Sequence, residues 1–345
     1  MLRSTIGRLW KIGRIGMVPP APEPGRAGIA VALVVRDEAA HVREWAEFHA
    51  GAGVRAFFVY DDRCTDATIP ILRETLGERL VVTPWRQRLS DAGLEREIHN
   101  QALAYAHAAS NFGGAFRWMA FIDADEFLVP KGAGSSGVPK GTGASGVPKG
   151  AGASGVLQGA GAEGVPQGVA ASGVPEGGGD LDAALAHLGP EVANVSLPWH
   201  MFGHSGHATP PEGGVVRSYL RRAADPMSDL RGVRAFKCLV DPCRLVGVGV
   251  HAMETGGGWT WNERGERFRM KDREGREFYS AEHVQLNHYY ARSRAELEAK
   301  IGRGPNLTSK APEYRRKVLR TVENIERDEV EDRAALDYLA RRGQM

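Results

Sequence analysis

The residues best suited to chemistry are Asp123, Asp125 and Glu126, which follow the apolar run Trp118 to Ile122 and precede Phe127-Leu128. An apolar run before acids predicts a buried strand. Open α/β sheets bind ligands at the carboxyl ends of their strands, so acids at a strand mouth are placed for ligand chemistry. Asp123 and Asp125 are two apart, and an extended strand would point both to one side. Two hard oxygen ligands on one side suit Mg²⁺ or Mn²⁺, which keeps several waters and picks up substrate phosphates. A short Asp-x-Asp is also common as punctuation at a solvated strand end, so its setting must decide.

Four further groups could join such a site. Asp62, in Asp61-Asp62-Arg63-Cys64-Thr65-Asp66, can accept hydrogen bonds from ribose or base, while Asp66 suits the N-cap of a following helix. His251 and His288 could each complete a Mn²⁺ shell as neutral imidazoles, although a lone histidine is more often structural. Arg292, Arg294, Lys300 and Arg303 could neutralise a leaving diphosphate or could form a solvated helix face. Trp199, Phe202 and His207 sit in a loop whose aromatic faces and polar donors suit a sugar, or else form a buried corner.

The elements that must position these residues read in order as strands and helices. Ile29 to Val35 is a continuous apolar run, as expected of a strand buried on both faces. Residues 39–50 have helical spacing, 55–60 form a second strand, 67–77 a helix, 80–83 a third strand and 94–110 a helix, before the strand 118–122. This alternation predicts an α/β fold with a mostly parallel central sheet flanked by helices. Beyond it we expect a helix at 180–188, strands at 192–197, 215–220, 235–240, 245–250 and 284–289, a mobile loop at 255–278 and one long charged helix over 313–341.

Between the halves lies a repeat. Val129, Val138, Val147, Val156, Val165 and Val174 recur with a period of nine through a segment rich in Gly, Ala and Ser. Such composition buries too little apolar surface to offset ordering, so 129–179 is expected to be a flexible loop. Its Gly132-Ala133-Gly134-Ser135-Ser136-Gly137 matches a dinucleotide fingerprint, but the required helix is missing from the pattern.

Composition narrows the function classes. The formal net charge of +2 over 345 residues gives no general nucleic-acid surface. Three cysteines and no secretory leader fit a reducing, cytoplasmic setting. No apolar run approaches the roughly 20 residues that span a bilayer. Residues 1–26 are basic, then Pro-rich, and read as a flexible leader that could alternatively touch an anionic membrane surface. The expected organisation is that leader, a catalytic domain over 27–310 interrupted by the repeat, and a C-terminal helix over 311–345.

The blocks Val34-Val35-Arg36-Asp37-Glu38, Glu44-Trp45, His49, Gly53-Val54, Tyr60-Asp61-Asp62 and Asp66 resemble the opening of the glycosyltransferase family 2/92 group. Phe121 to Phe127 is similar to that group's DxD-E-F motif. Trp199, Phe202-Gly203, Ser205-Gly206-His207, Lys237, His251, His288-Tyr289, Arg292-Ser293 and Lys300 resemble its later blocks. The resemblance implies a GT-A, Rossmann-like fold, a nucleotide-sugar donor of the UDP-sugar kind, Mn²⁺ or Mg²⁺, and a hydroxyl acceptor such as a glycan. It implies that Asp123 and Asp125 hold metal and diphosphate, that Glu38 and Asp62 border the nucleotide, and that a histidine, His288 in preference to His251, completes the metal shell. Arg292 and Lys300 fall on the donor side, and Trp199, Phe202 and His207 on the acceptor side. The catalytic base stays open among Glu212, Asp225, Asp229 and Glu254. Two other classes remain: a nucleotide- or glycan-binding scaffold without activity, and a metal-dependent nucleotidyltransferase.

Overall fold

The computed structural model describes residues 14–91, 93, 96–131, 180–304 and 311–344. The repeat beyond Lys131, with its glycine fingerprint, and residues 1–13, read as a flexible leader or alternatively a membrane contact, lie outside the described residues.

The first strand, β1 (Ile29–Val35), is almost entirely buried. Its alternate residues face two layers. Val31, Leu33 and Val35 join Val42, Trp45 and Phe48 of helix α1 (Val42–Gly51). Ala30 and Ala32 pack on the opposite face. Strand β2 (Val54–Asp61), helix α2 (Thr68–Leu76) and strand β3 (Leu80–Pro84) follow. Helix α3 (Asn100–Phe112) covers the second face with Ala104, Tyr105 and Ala108, and leads to β4 (Trp118–Phe121). Within this half β1 pairs with β2 and β4, and β2 with β3, all parallel. On β1 the α3 side carries small residues and the α1 side larger ones, while Phe58, Tyr60, Met119 and Phe121 of the neighbouring strands fill the α3 layer.

The second half departs from the mostly parallel expectation. Strand β5 (Glu126–Pro130) turns back immediately after β4. Helix α4 (Asp180–Leu185) resumes the chain, and β6 (Asn194–Met201) follows. Next come a short helix α5 (Gly214–Ser218), β7 (Arg221–Ala223), β8 (Phe236–Val240), β9 (Trp259–Trp261), β10 (Arg267–Arg269) and β11 (Val284–His288). The large sheet runs β10-β9-β6-β8-β4-β1-β2-β3, with β11 pairing both β6 and β5. Strand β8 is antiparallel to both β4 and β6, and β11 is antiparallel to β5. Parallel neighbours need long crossovers. Helices separate the strands of the first half, whereas β4 and β5 are joined by a tight turn. The result is a mixed α/β sheet.

Three other expectations are corrected. Residues 215–220, Val-rich and strand-like, form α5, because the Glu44 carboxylate accepts the backbone N–H groups of Val215 and Val216 at 2.6 and 2.9 Å. The span 255–278 carries the β9–β10 hairpin instead of a bare loop. The single C-terminal helix is two, α7 (Ala311–Ile325) and α8 (Ala334–Arg341), separated by β12 (Glu329–Glu331), which pairs with β7. An additional helix, α6 (Arg294–Arg303), precedes them and starts with a capping box between Ser293 and Glu296.

The stretch 14–26, expected as the end of a free leader, is packed. Ile15–Gly16 pairs with Gly247–Val248, and Arg26 forms a two-pronged ion pair with Asp241 at 2.6 and 2.8 Å. The repeat leaves and re-enters at fixed points. Lys131 N–H donates to His283 O at 2.8 Å, and Leu181 N–H to Ala52 O at 3.0 Å. Among the described residues no helix is long and apolar enough to cross a membrane.

Candidate active site

Strands β1, β2 and β4 are parallel, so the segments after Val35, Asp61 and Phe121 emerge at one edge of the sheet. That edge collects Glu38, Asp62 and the acidic turn. The acids do not share one side of an extended strand, as their spacing suggested. Asp123, Ala124 and Asp125 form a tight turn between β4 and β5, closed by the Glu126 N–H donating to Asp123 O at 3.1 Å. The Glu126 side chain completes it by accepting from the Asp123 N–H at 2.8 Å. The far side is latched by the Tyr289 N–H on Asp125 O at 2.9 Å.

Helix α1 fixes the strand that follows. Trp45 Nε1–H donates to Glu126 O at 2.9 Å, and one turn later His49 Nε2 accepts from the Leu128 N–H at 3.2 Å. His49 Nδ1 lies 2.9 Å from Trp45 O, so the neutral tautomer with its proton on Nδ1 satisfies both contacts. Burial pushes this imidazole down to about 4, only partly offset by the Trp45 carbonyl. The Glu44-Trp45 and His49 blocks are therefore brackets: Glu44 holds α5, and the other two hold β5.

The carboxylates are met by cations. Lys237, on β8 and 1% exposed, places Nζ 2.9 Å from Asp123 and 3.6 Å from Glu126. Gln101 Nε2 also donates to Asp123. Lys300, on α6, places Nζ 2.9 Å from Asp125 Oδ2 and 3.1 Å from Tyr290 O. His288 Nε2 lies 3.5 Å from Asp125 Oδ1, and its Nδ1 lies 3.8 Å from Glu126 Oε1. The register of β11 against β5 sets His288 opposite Glu126. Arg292 adopts φ +51 just past β11, a left-handed conformation that turns its guanidinium inward. There it reaches Glu38 at 3.3 Å and the carbonyl of Ala124 at 3.5 Å. Arg303 pairs with the other oxygen of Glu38 at 3.2 Å.

These contacts fix the protonation pattern. Burial alone would raise the Asp125 carboxyl, but Lys300 and His288 hold it well below the usual range. Burial is likewise outweighed at Asp123, chiefly by Lys237. Glu126, fully buried beside two other acids, is pushed well above the usual range despite Lys237. Lys237 and Lys300 are both raised, because their carboxylate partners overcome desolvation. Burial lowers His288 in spite of Asp125, leaving it neutral near pH 7.

The other expected residues have partners of their own. His251 contacts the Trp199 ring at 5.2 Å and bonds the Phe236 carbonyl, and among the described residues it makes no ion pair with either aspartate. Asp62 is engaged by Arg88 at 3.0 Å and Arg63 at 3.3 Å. Trp199 lies beside His288, with ring centroids 4.3 Å apart. Phe202 is wholly buried against Tyr289, so it cannot present a face to an acceptor. His207 Nε2 lies 3.1 Å from Ser218 O and its ring meets Tyr219 edge-on, contacts that tie its loop to α5. Three of the four candidate bases pair with arginines: Asp225 with Arg276, Asp229 with Arg234 and Glu254 with Arg14. Lys237 and Glu126 were not assigned roles from sequence. The available signal was a lone lysine in the apolar run Phe236 to Val240, which demands a buried acid.

Two of the expected donors are spaced for a divalent cation. Asp125 Oδ1 and a neutral imidazole nitrogen face each other across 3.5 Å, close to the spacing of adjacent ligands on one ion. Asp123, one-third exposed and held by Lys237, does not lie within 4.8 Å of both.

Fold and site together define a mixed α/β protein with a cluster of carboxylates and cations at the carboxyl edge of its parallel strands. Residues 29–137 match the profile of Glycosyltransferase family 92. Two relatives carry that family's name. One, from Ricinus communis, is 26% identical over 132 residues, 35% of this chain and 22% of the relative. Another, from Oryza sativa subsp. japonica, is 30% identical over 104 residues, 29% of this chain and 16% of the relative. The chain thus spans less than a quarter of the length of these relatives. Over 29–137 the resemblance read from the sequence is borne out: this stretch is similar to glycosyltransferase family 92. It contains Glu38, Asp62, Asp123, Asp125 and Glu126, whereas Lys237, His288, Arg292 and Lys300 lie beyond it.

Proposed function

We propose that the chain is a metal-dependent glycosyltransferase that moves a sugar from a nucleotide-sugar donor, of the UDP-sugar kind, to a hydroxyl acceptor such as a glycan. The observation that carries this reading is the Asp123–Asp125 turn facing His288, ringed by Lys237, Lys300 and Arg292. Asp125 and His288, with Asp123, would hold Mn²⁺ or Mg²⁺. Such an ion supplies Lewis-acid stabilisation of a nucleoside diphosphate leaving group. In this reading the chain's own cations act on the same charge: Lys300 and Arg292, beside Asp125 and Glu38, would stabilise phosphate oxygens as the bond to C1 breaks. Glu38, held by Arg292 and Arg303, borders that pocket, and Trp199 offers an apolar wall beside His288 for the sugar or acceptor. The GT-A character is part of this reading, as is a cytoplasmic setting, with Cys64, Cys238 and Cys243 all unpaired.

The test is nucleoside diphosphate release from a panel of UDP-, GDP- and dTDP-sugars, with Mn²⁺, with EDTA, and with Asp125→Ala. The expected outcome is release from one donor that needs metal and falls at least about a hundredfold in the variant, the scale of losing a central electrostatic contact. Metal-dependent nucleotide binding without release would favour a binding scaffold, and pyrophosphate as product would favour a nucleotidyltransferase.

A further inference from the structure

The proposed metal ligands already have cationic partners, and the two partners differ. Lys237 is sealed in the core, 1% exposed, between Asp123 and Glu126. Lys300 is 27% exposed, on a helix at the rim of the pocket, with Nζ 2.9 Å from Asp125 Oδ2 and 4.3 Å from the Tyr290 ring. Asp123 and Asp125 carry two negative charges and the two lysines two positive ones. Around Glu38, Arg292 and Arg303 add two positive charges against one negative. A free divalent cation therefore meets no net negative charge, whereas a cation already neutralised by a diphosphate meets a pocket suited to it.

From this arrangement, and resting on the reading above, we propose that Lys300 is a placeholder for the metal. It holds Asp125 in the ligand-free protein and transfers to a phosphate oxygen of the donor when the ion takes Asp125. Lys237 cannot exchange in this way, because leaving Asp123 would strand a buried ammonium. Lys300 can, because its partial exposure lets the four-carbon stem swing while its charge stays solvated or phosphate-bound. The consequence is coupled binding: metal and nucleoside diphosphate enter together, and each is weak alone.

The experiment is Mn²⁺ binding to the full chain, followed by loss of the free-ion EPR signal, alone and with saturating UDP or GDP, each against a protein-free control. The expected result is that one nucleotide tightens Mn²⁺ binding by the native protein at least about tenfold. Lys300→Met should bind Mn²⁺ at least about tenfold more tightly than the native chain without nucleotide, and should lose most of the nucleotide effect. Lys300→Gln, which keeps a polar tip and removes only the charge, should behave the same way and guards against a packing artefact. Equal Mn²⁺ affinity with and without nucleotide in the native protein overturns the placeholder and leaves the metal-site reading standing. No tightening in either variant does the same. Absence of Mn²⁺ binding in all three proteins, even with nucleotide, overturns both.

Discussion

Lys237 is the residue on which the pocket's stability most depends. It is a nearly inaccessible ammonium paired with the Asp123 carboxylate and packed against the fully buried Glu126. Removing one partner of such a buried set leaves an uncompensated charge, which costs more than the pair contributed. Lys237→Met should lower stability by about 3–5 kcal/mol, read as a fall in the urea midpoint. Adding Asp123→Asn should restore part of that loss by removing the stranded charge. An unchanged midpoint in the single variant would mean that Asp123 carries no charge in the folded protein. Asp125 behaves differently, because its lysine partner, Lys300, is partly exposed. Its depressed carboxyl contributes stability above the ordinary carboxylate range, and that contribution is lost as pH falls below it.

At the scale of elements, helix α1 organises the site without touching a ligand. Glu44, Trp45 and His49 project from it to α5 and β5, fixing both sides of the acidic turn. Glu44→Ala should release α5 and cost about 1–3 kcal/mol, the penalty of leaving two backbone donors without a charged acceptor. Hydrogen exchange at Val215 and Val216 should rise in this variant while the core of β1 stays protected; unchanged exchange there would deny Glu44 its capping role. These links also explain which parts were legible in the sequence. Strands β1, β2 and β4 appeared as continuous apolar runs because parallel strands are buried on both faces. Helix α5 did not, because its valines read as strand and its cap lies 171 residues earlier in the chain. The Asp-x-Asp cluster was visible as an anomaly after an apolar run. Its turn geometry was not, since the latch on Asp125 comes from Tyr289. The Lys237 partnership spans 114 residues, beyond the reach of any local pattern.

At the scale of the whole molecule, buried neutral histidines set the response to acid. Burial lowers His49 to about 4 and His200 to about 3, the latter with Arg222 adding to the effect. Both are depressed bases. The unfolded chain therefore takes up protons first, at the ordinary histidine range, and stability falls as pH drops from about 6.5 toward those values. Between pH 7 and pH 5 the loss should be about 2 kcal/mol for each imidazole, measurable as urea midpoints at the two pH values. His49→Gln should flatten that slope; an unaltered slope would mean that His49 is charged in the fold. Shortening the nine-residue repeat to one unit should leave the midpoint at pH 7 nearly unchanged, because both flanks are anchored by their own contacts.

Those anchors bear on how the gene can change. Lys131 is tied to His283, and Leu181 to Ala52, with Arg342 and Tyr338 binding Asp180 beside it. Each repeat unit is a whole number of codons, so replication slippage would add or delete units without shifting the reading frame. Because both moorings lie in the described fold, a change in copy number should leave these contacts intact. Alleles of this gene should therefore differ in repeat number far more readily than in the residues on either side.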